Sequence, residues 1–260
     1  MNFRTLATSA VMMAAISIYA LPAAAQEKAQ TTSEAGKTMS AQDRGAIEDV
    51  VREYLLSNPE VIVEAIRIYR EKQEQAQAEQ AQKALSAHRS SLTEAKNAPF
   101  AGNPKASVTV VEFFDYQCGY CKRMLPMLRQ LLDEDKDLRW VFKEFPILGP
   151  NSLTASRAAL AAWNLDPAKY VAFHAALMGA SGGLTEERVL KIAERVGYDE
   201  KKLKSGMDSD AVSAEIQTNH RLAETLNIRG TPAFIVGDEL VPGAIDLETL
   251  RNLIKKARKG

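Results

Sequence analysis

The chain reads as an α/β domain preceded by a separate α-helical region, and three patterns carry that reading. Ser107 to Asp115 is apolar on both faces, Leu138 to Phe145 is a second strand ended by Pro146, and Ala233 to Val236 is a third, short apolar run. Runs without polar alternation belong to strands covered on both sides. Between about 150 and 228 the periodicity is helical throughout, and before Asn97 it is helical with no strand signal.

The chain has 260 residues, enough for one large domain or two small ones. Its 33 basic and 33 acidic residues give a formal net charge of zero, so no basic field exists to hold nucleic acid. Arg4, the uncharged apolar run Leu6 to Leu21 and the small-residue site Ala23-Ala24-Ala25 together predict a signal peptide over 1–25, removed after Ala25. A membrane anchor is the competing reading, but the run is short for a span of about 20 apolar residues. The mature chain is then expected in the periplasm without a membrane span, where a disulfide is allowed.

Residues 26–40 are rich in Gln, Thr, Ser, Ala and Lys and read as a disordered leader. Residues 41–97 form a helical region. Ile47, Val50, Val51, Tyr54 and Leu55 recur at helical spacing over Asp43 to Leu56. Ser57, Pro59 and Glu60 predict a stop and a capped restart. A second helix is expected from about Pro59 to Leu92, roughly 50 Å long at 1.5 Å per residue. Val61, Ile62, Ala65, Ile66 and Tyr69 form its apolar face, and Glu71 to Lys83 carries almost none. Two readings stand: a solvated linker, or a stalk that self-associates as a dimer or trimer, with the uncovered apolar faces favouring the stalk. Asn97 to Pro104 marks the boundary to a domain over 105–260.

Within that domain a strand over Ser107 to Asp115 leads into a helix from Gly119, with a kink expected at Pro126. A second strand ends at Pro146. Helices are expected over Asn151 to Trp163, from Asp166-Pro167 to Gly179, from Thr185 to Gly197, and over Asp208 to Leu226. Gly230-Thr231-Pro232 turns into the strand Ala233 to Val236. Gly237-Asp238 signals a hairpin to a short strand near Leu240-Val241, and Asp246 to Arg258 is a last helix.

The only two cysteines, Cys118 and Cys121, sit where the first strand hands over to its helix. A bridge enclosing only Gly119 and Tyr120 closes too small a loop to stabilise much, so the pair reads as a reversible redox couple. A zinc site would need a second ligand pair, and His88, His174 and His220 are scattered. Cys118 at the helix N-terminus is the expected nucleophile, since backbone N–H groups and the helix dipole favour its thiolate. Cys121, one turn in, is the resolving thiol. Gly119 is expected to allow a close backbone turn, and Tyr120 to help tune the couple. Glu112 and Lys143 form a proton relay for Cys121 if both point inward; solvent-facing side chains are the competing reading. Met124 and Met127 read as core.

Phe113-Phe114-Asp115-Tyr116-Gln117-Cys118-Gly119-Tyr120-Cys121, then Phe142-Lys143-Glu144-Phe145-Pro146-Ile147-Leu148-Gly149, then Gly230-Thr231-Pro232-Ala233-Phe234, resemble the DsbA-like branch of the thioredoxin superfamily. The resemblance implies a thioredoxin fold with a helical insertion over about 150–228. It also implies a cis Pro232 against the dithiol, with Thr231 offering backbone groups to a substrate. Cys-Gly-Tyr-Cys with a helical extension looks closest to the suppressor-of-copper-sensitivity C and Com1-like proteins, some of which are trimeric or dimeric isomerases. Gly-Tyr between the cysteines and Thr before Pro232 depart from the monomeric oxidases, which carry Pro-His and Val. The implied function is a periplasmic thiol-disulfide oxidoreductase of isomerase or reductase type. It would act on exported cysteine-containing proteins, take electrons from a membrane thiol reductase and use no cofactor. A DsbA-type oxidase and a copper-tolerance protein holding Cu(I) at Cys118 and Cys121 are the alternatives.

Overall fold

A computed structural model describes residues 40–94 and 98–259. The expected signal peptide and nearly all of the expected leader lie outside the described residues. By internal contacts the chain divides into two units, 1–67 and 68–260.

In the first unit, α1 (Ala41–Ser57) starts at Ser40, whose hydroxyl accepts from the Asp43 N–H, and buries no residue. Val50 is 66% and Leu56 71% exposed, so among the described residues nothing covers the apolar face of this helix. Ser57 does not cap the next helix: it is the last residue of α1. Asn58 ends that helix with both its backbone N–H and its side-chain amide on the Tyr54 carbonyl, and α2 (Glu60–Thr93) restarts two residues on. Asn58 thus closes the end of α1, and its backbone carbonyl accepts from the Val61 N–H as α2 begins.

The second unit holds the last turns of α2 and a five-stranded sheet. Its strands are β1 (Phe100–Gly102), β2 (Val108–Phe114), β3 (Leu138–Glu144), β4 (Ala233–Val236) and β5 (Glu239–Pro242), in spatial order β1-β3-β2-β4-β5. Only β2 and β3 run parallel. β1 falls where the sequence reading puts a domain boundary. Three residues are too few to show a period, and the strand is held by antiparallel pairing with β3. Gly102, at φ +84°, is needed there: a Cβ would come within 2.3 Å of the Leu138 carbonyl oxygen.

Register decides which side chains meet the dithiol. Val110, Glu112 and Phe114 share one face with Trp140, Phe142, Phe234 and Val236. That face packs on α3 (Gly119–Glu134) and α9 (Leu247–Ala257), with Leu128, Leu131, Leu250 and Ile254 in its core. Val111, Phe113, Val141 and Ile235 share the other face, covered by Leu222 and Leu226 and by Leu85 and Leu92 of α2. The end of the long helix is thus part of this unit's core.

The insertion between β3 and β4 contains α4 (Pro150–Leu165), α5 (Tyr170–Gly179), α6 (Glu186–Val196), α7 (Glu200–Met207) and α8 (Asp210–Thr225). Residues 198–207 carry no assignment in the sequence reading, and 200–207 form α7, capped by Asp199 accepting from the Lys202 N–H. The small side chains of α4 (Ala155, Ala158, Ala159, Ala161, Ala162) are all buried, which lets its neighbours approach closely. A Cβ on Gly206 of α7 would lie 3.1 Å from the Ala161 Cβ.

Candidate active site

Cys118 is the N-cap of α3, with φ −74° and ψ 114°. Its Sγ accepts from the Cys121 N–H at 3.4 Å and lies 3.3 Å from the Thr231 carbonyl oxygen, to which the thiol donates. The geometry follows from the sequence: an extended strand ends at Phe114, a turn closes with the Cys118 N–H on the Asp115 carbonyl, and the chain enters a helix whose first N–H groups lack partners. A sulfur set there meets those N–H groups and the positive end of the helix dipole. The Thr231–Pro232 peptide bond is cis and brings the opposite wall of the site against the sulfur.

Cys121 is buried and both thiols are unbridged. Its thiol is held far above the ordinary value, first by burial and then by the Glu112 carboxyl. Glu112 sits on the same sheet face and is itself buried. Desolvation pushes its carboxyl from 4.5 up to about 8, opposed only by the Trp140 indole N–H, which donates to Oε2 at 3.0 Å.

Lys143 does not join this pair. Its register partner is Phe113, so it projects from the face opposite Glu112, where Nζ stands 3.5 Å from Glu215 Oε1 of α8 and burial lowers its pKa. Adjacent positions on neighbouring strands alternate in direction, so Glu112 and Lys143 could share a face only with a one-residue slip. Gly119 is exposed, has no positive φ, and a Cβ there would meet nothing within 4 Å. The turn therefore does not require glycine at this position. Tyr120 is 58% exposed, with the Arg123 guanidinium 4.3 Å from its ring centroid.

Two buried groups that sequence reading does not single out support the dithiol loop. The Asp115 carboxylate accepts from the N–H groups of Gln117, Ile147 and Leu148 and from the Ser152 hydroxyl. The hint available in the sequence is an Asp two residues before a turn N–H. Behind it, the Glu144 carboxyl takes bonds from Ser156, Tyr116 and Tyr170, and Tyr116 Oη lies 3.0 Å from His174 Nδ1. Burial holds Glu144 well above the carboxylate range and lowers His174 to about 3, so these groups are neutral rivets between β3, α4 and α5. Among the described residues no cluster of three or more His, Cys, Asp or Glu could hold a metal, and no helix is long and apolar enough to cross a membrane.

Comparison with known proteins places this geometry. Residues 109–255 match the model of the DSBA-like thioredoxin domain, and residues 43–76 match that of the copper resistance protein ScsC N-terminal domain. A thioredoxin-like oxidoreductase from Silicibacter pomeroyi is 47% identical, with a TM-score of 0.64 over 66% of this chain and 98% of that one. ScsC of Proteus mirabilis, in a structure described as a transitional conformation, is 31% identical, with a TM-score of 0.64 over 85% of this chain and 99% of its own. The disulfide bond formation protein D of Bacillus subtilis is 26% identical over 175 residues, 64% of this chain and 79% of that one. A Na(+)/H(+) antiporter NhaA 1 of Salinispora arenicola is 29% identical over 161 residues, which span 61% of this chain and 24% of that protein.

Proposed function

The chain belongs to the family of DsbA-like thioredoxin domains and is a thiol-disulfide oxidoreductase, and from that premise we propose that it works in the periplasm as a homo-oligomeric disulfide isomerase or reductase on exported proteins. The observation that carries the chemistry is the Cys118 sulfur at the N-cap of α3, between the Cys121 N–H and the Thr231 carbonyl. The Cys118 thiolate attacks one sulfur of a substrate disulfide. A mixed disulfide forms and the other substrate sulfur leaves as a thiolate. In isomerisation, a second substrate thiolate attacks the mixed disulfide, so a new substrate disulfide forms and the Cys118 thiolate is regenerated. In reduction, Cys121 gives up its proton and attacks the Cys118 sulfur, leaving the substrate as a dithiol and the enzyme as a disulfide that a membrane thiol reductase must reduce.

Glu112 is the group suited to move the Cys121 proton, because a carboxyl near 8 can hold or release one around neutral pH. Lys143 has no part in that step. Thr231 and Pro232 form the wall against which a substrate segment lies, and Gly119 and Tyr120 front the open side.

The direction of electron flow rests on the helical region. Residues 41–97 carry uncovered Ile47, Val50, Val51, Tyr54 and Ile62, and such a patch suits contact with other copies. Several dithiols held together would grip a misfolded chain and deny access to an oxidase partner; a monomeric oxidase has no use for the extension. Refolding of a scrambled protein tests this. The mature chain should restore native pairing, Cys118→Ala should not, and a chain starting at Ile68, which keeps Leu85 and Leu92, should be monomeric and weaker. Equal isomerisation by that shortened chain would remove the oligomer from the mechanism.

A copper role is the second reading, supported by the ScsC match over 43–76. The two thiols would supply the soft donors for Cu(I). Undiminished copper tolerance in a Cys118→Ser strain would rule it out.

A further inference from the structure

We propose that Asp115 is a positioning residue that sets the substrate range of the dithiol, by holding the Ile147–Leu148 loop beside Cys118 as an apolar platform for unfolded polypeptide. The proposal deepens the functional reading above and rests on it.

Asp115 is fully buried and faces four donors. Oδ1 accepts from the Gln117 N–H at 2.7 Å and the Ser152 hydroxyl at 2.8 Å. Oδ2 accepts from the N–H groups of Ile147 at 2.8 Å and Leu148 at 3.0 Å. Its own carbonyl takes the Cys118 N–H at 3.0 Å. One residue is therefore bonded to the reactive loop, to the β3–α4 loop and to the first turn of α4.

The two bonds to Oδ2 matter most, because of what they hold. The Ile147 and Leu148 backbones are pulled inward while their side chains stay out, Leu148 52% and Ile147 38% exposed. Large apolar side chains on a loop pinned by two buried bonds to the residue whose carbonyl also holds the Cys118 N–H form a fixed surface. A protein substrate spans both that surface and Cys118. A small disulfide reaches Cys118 alone.

Asparagine cannot reproduce the clamp. Its amide NH₂ donates, so at least one of the two sides of Asp115 faces donor against donor and leaves buried N–H groups without an acceptor. The test uses the full mature chain and two substrates, a scrambled disulfide-bonded protein and oxidised glutathione, and reads the ratio of their kcat/KM values. D115N should lower that ratio at least fivefold. Leu148→Ser, a surface change that leaves the clamp intact, should lower it in the same direction. Ser152→Ala, which removes one bond and neither loop, should leave it within twofold. A merely structural role would reduce both substrates by one factor through the folded fraction, so an unchanged ratio in D115N overturns the proposal, as does an unchanged ratio in Leu148→Ser. Should D115N not fold, Asp115→Ser, which retains an acceptor for the Gln117 N–H, takes its place under the same criterion. A wild-type chain that reduces glutathione disulfide but no protein disulfide would defeat the functional reading, and the platform with it.

Discussion

Replacing Glu112 by Gln should make the protein more stable at alkaline pH and leave it nearly unchanged at acid pH. The folded carboxyl stands at about 8 against an ordinary 4.5, because it is desolvated and receives only the Trp140 indole N–H. A carboxyl raised on folding favours the native state only while it stays protonated. Its burden is absent below about 4.5, grows as the pH rises through the interval, and is constant above about 8. With 1.36 kcal/mol per unit, the wild type should lose roughly 3–4 kcal/mol between pH 5 and pH 8 that the Gln variant does not. Gln keeps an oxygen for the indole, so the comparison isolates the charge. Urea unfolding of the reduced chains at both pH values measures the difference of differences. Trp140 offers a second readout: its fluorescence should titrate near pH 8 in the wild type and not in the variant. A pH 5 to pH 8 change that is equal within 1 kcal/mol in the two proteins would refute the assignment of a neutral, desolvated Glu112.

Three further outcomes follow from the same structure. His174, buried and lowered to about 3, stays neutral in the fold while the unfolded chain takes a proton near 6.5, so stability should fall as pH drops from about 6.5 toward 3. His174→Gln should flatten that slope in acid unfolding curves. Leu92→Ala should cost about 2–5 kcal/mol in chemical denaturation, since Leu92 is 1% exposed in the core behind the sheet; a loss under about 0.5 kcal/mol would mean that the end of α2 does not pack there. Val51→Glu should lower the sedimenting mass of the mature chain while its Cys118 alkylation rate is unaltered, because the change falls on an uncovered helix face.

What could be read in advance divides along a physical line. The strands β2 and β4 were legible from their apolar runs and β3 from the aromatic-rich run ended by Pro146, and the capped helices because Asp, Pro and Gly mark their ends. The DsbA-like thioredoxin fold was legible because three motifs arrive in order. β1 was not, since three residues carry no period and its partner lies about 40 residues away. The fate of Lys143 was not legible either. A strand that is buried on both faces gives no alternation from which to tell which way a charged side chain points, so only the register separates Lys143 from Glu112. Asp115 was overlooked for a related reason: its donors come from Gln117, Ile147, Leu148 and Ser152, three of them more than 30 residues distant.

The two carboxyl groups three residues apart, Glu112 and Asp115, show how one short segment can hold two opposite kinds of acid. Both are buried, so burial alone does not decide their roles. Asp115 is ringed by four donors and acts as a fixed acceptor that locks loops in place. Glu112 has a single donor, and its carboxyl sits close enough to neutral pH to change state during a reaction. The difference comes from where each lies on the strand. Glu112 is inside the sheet, where neighbouring N–H groups are already spent on the ladder. Asp115 is one residue past its end, where turns offer N–H groups without partners and the first turn of α4 offers the Ser152 hydroxyl. A chain that moved its carboxylates by a few positions along this segment would exchange a clamp for a proton carrier, so swapping their environments should alter the pH dependence and the substrate ratio independently. Glu112→Gln should remove the titration near 8 while keeping the preference for protein over glutathione disulfide. D115N should do the reverse. If the two variants instead moved both readouts together, the clamp and the proton carrier would be one coupled unit and the division of labour would fail.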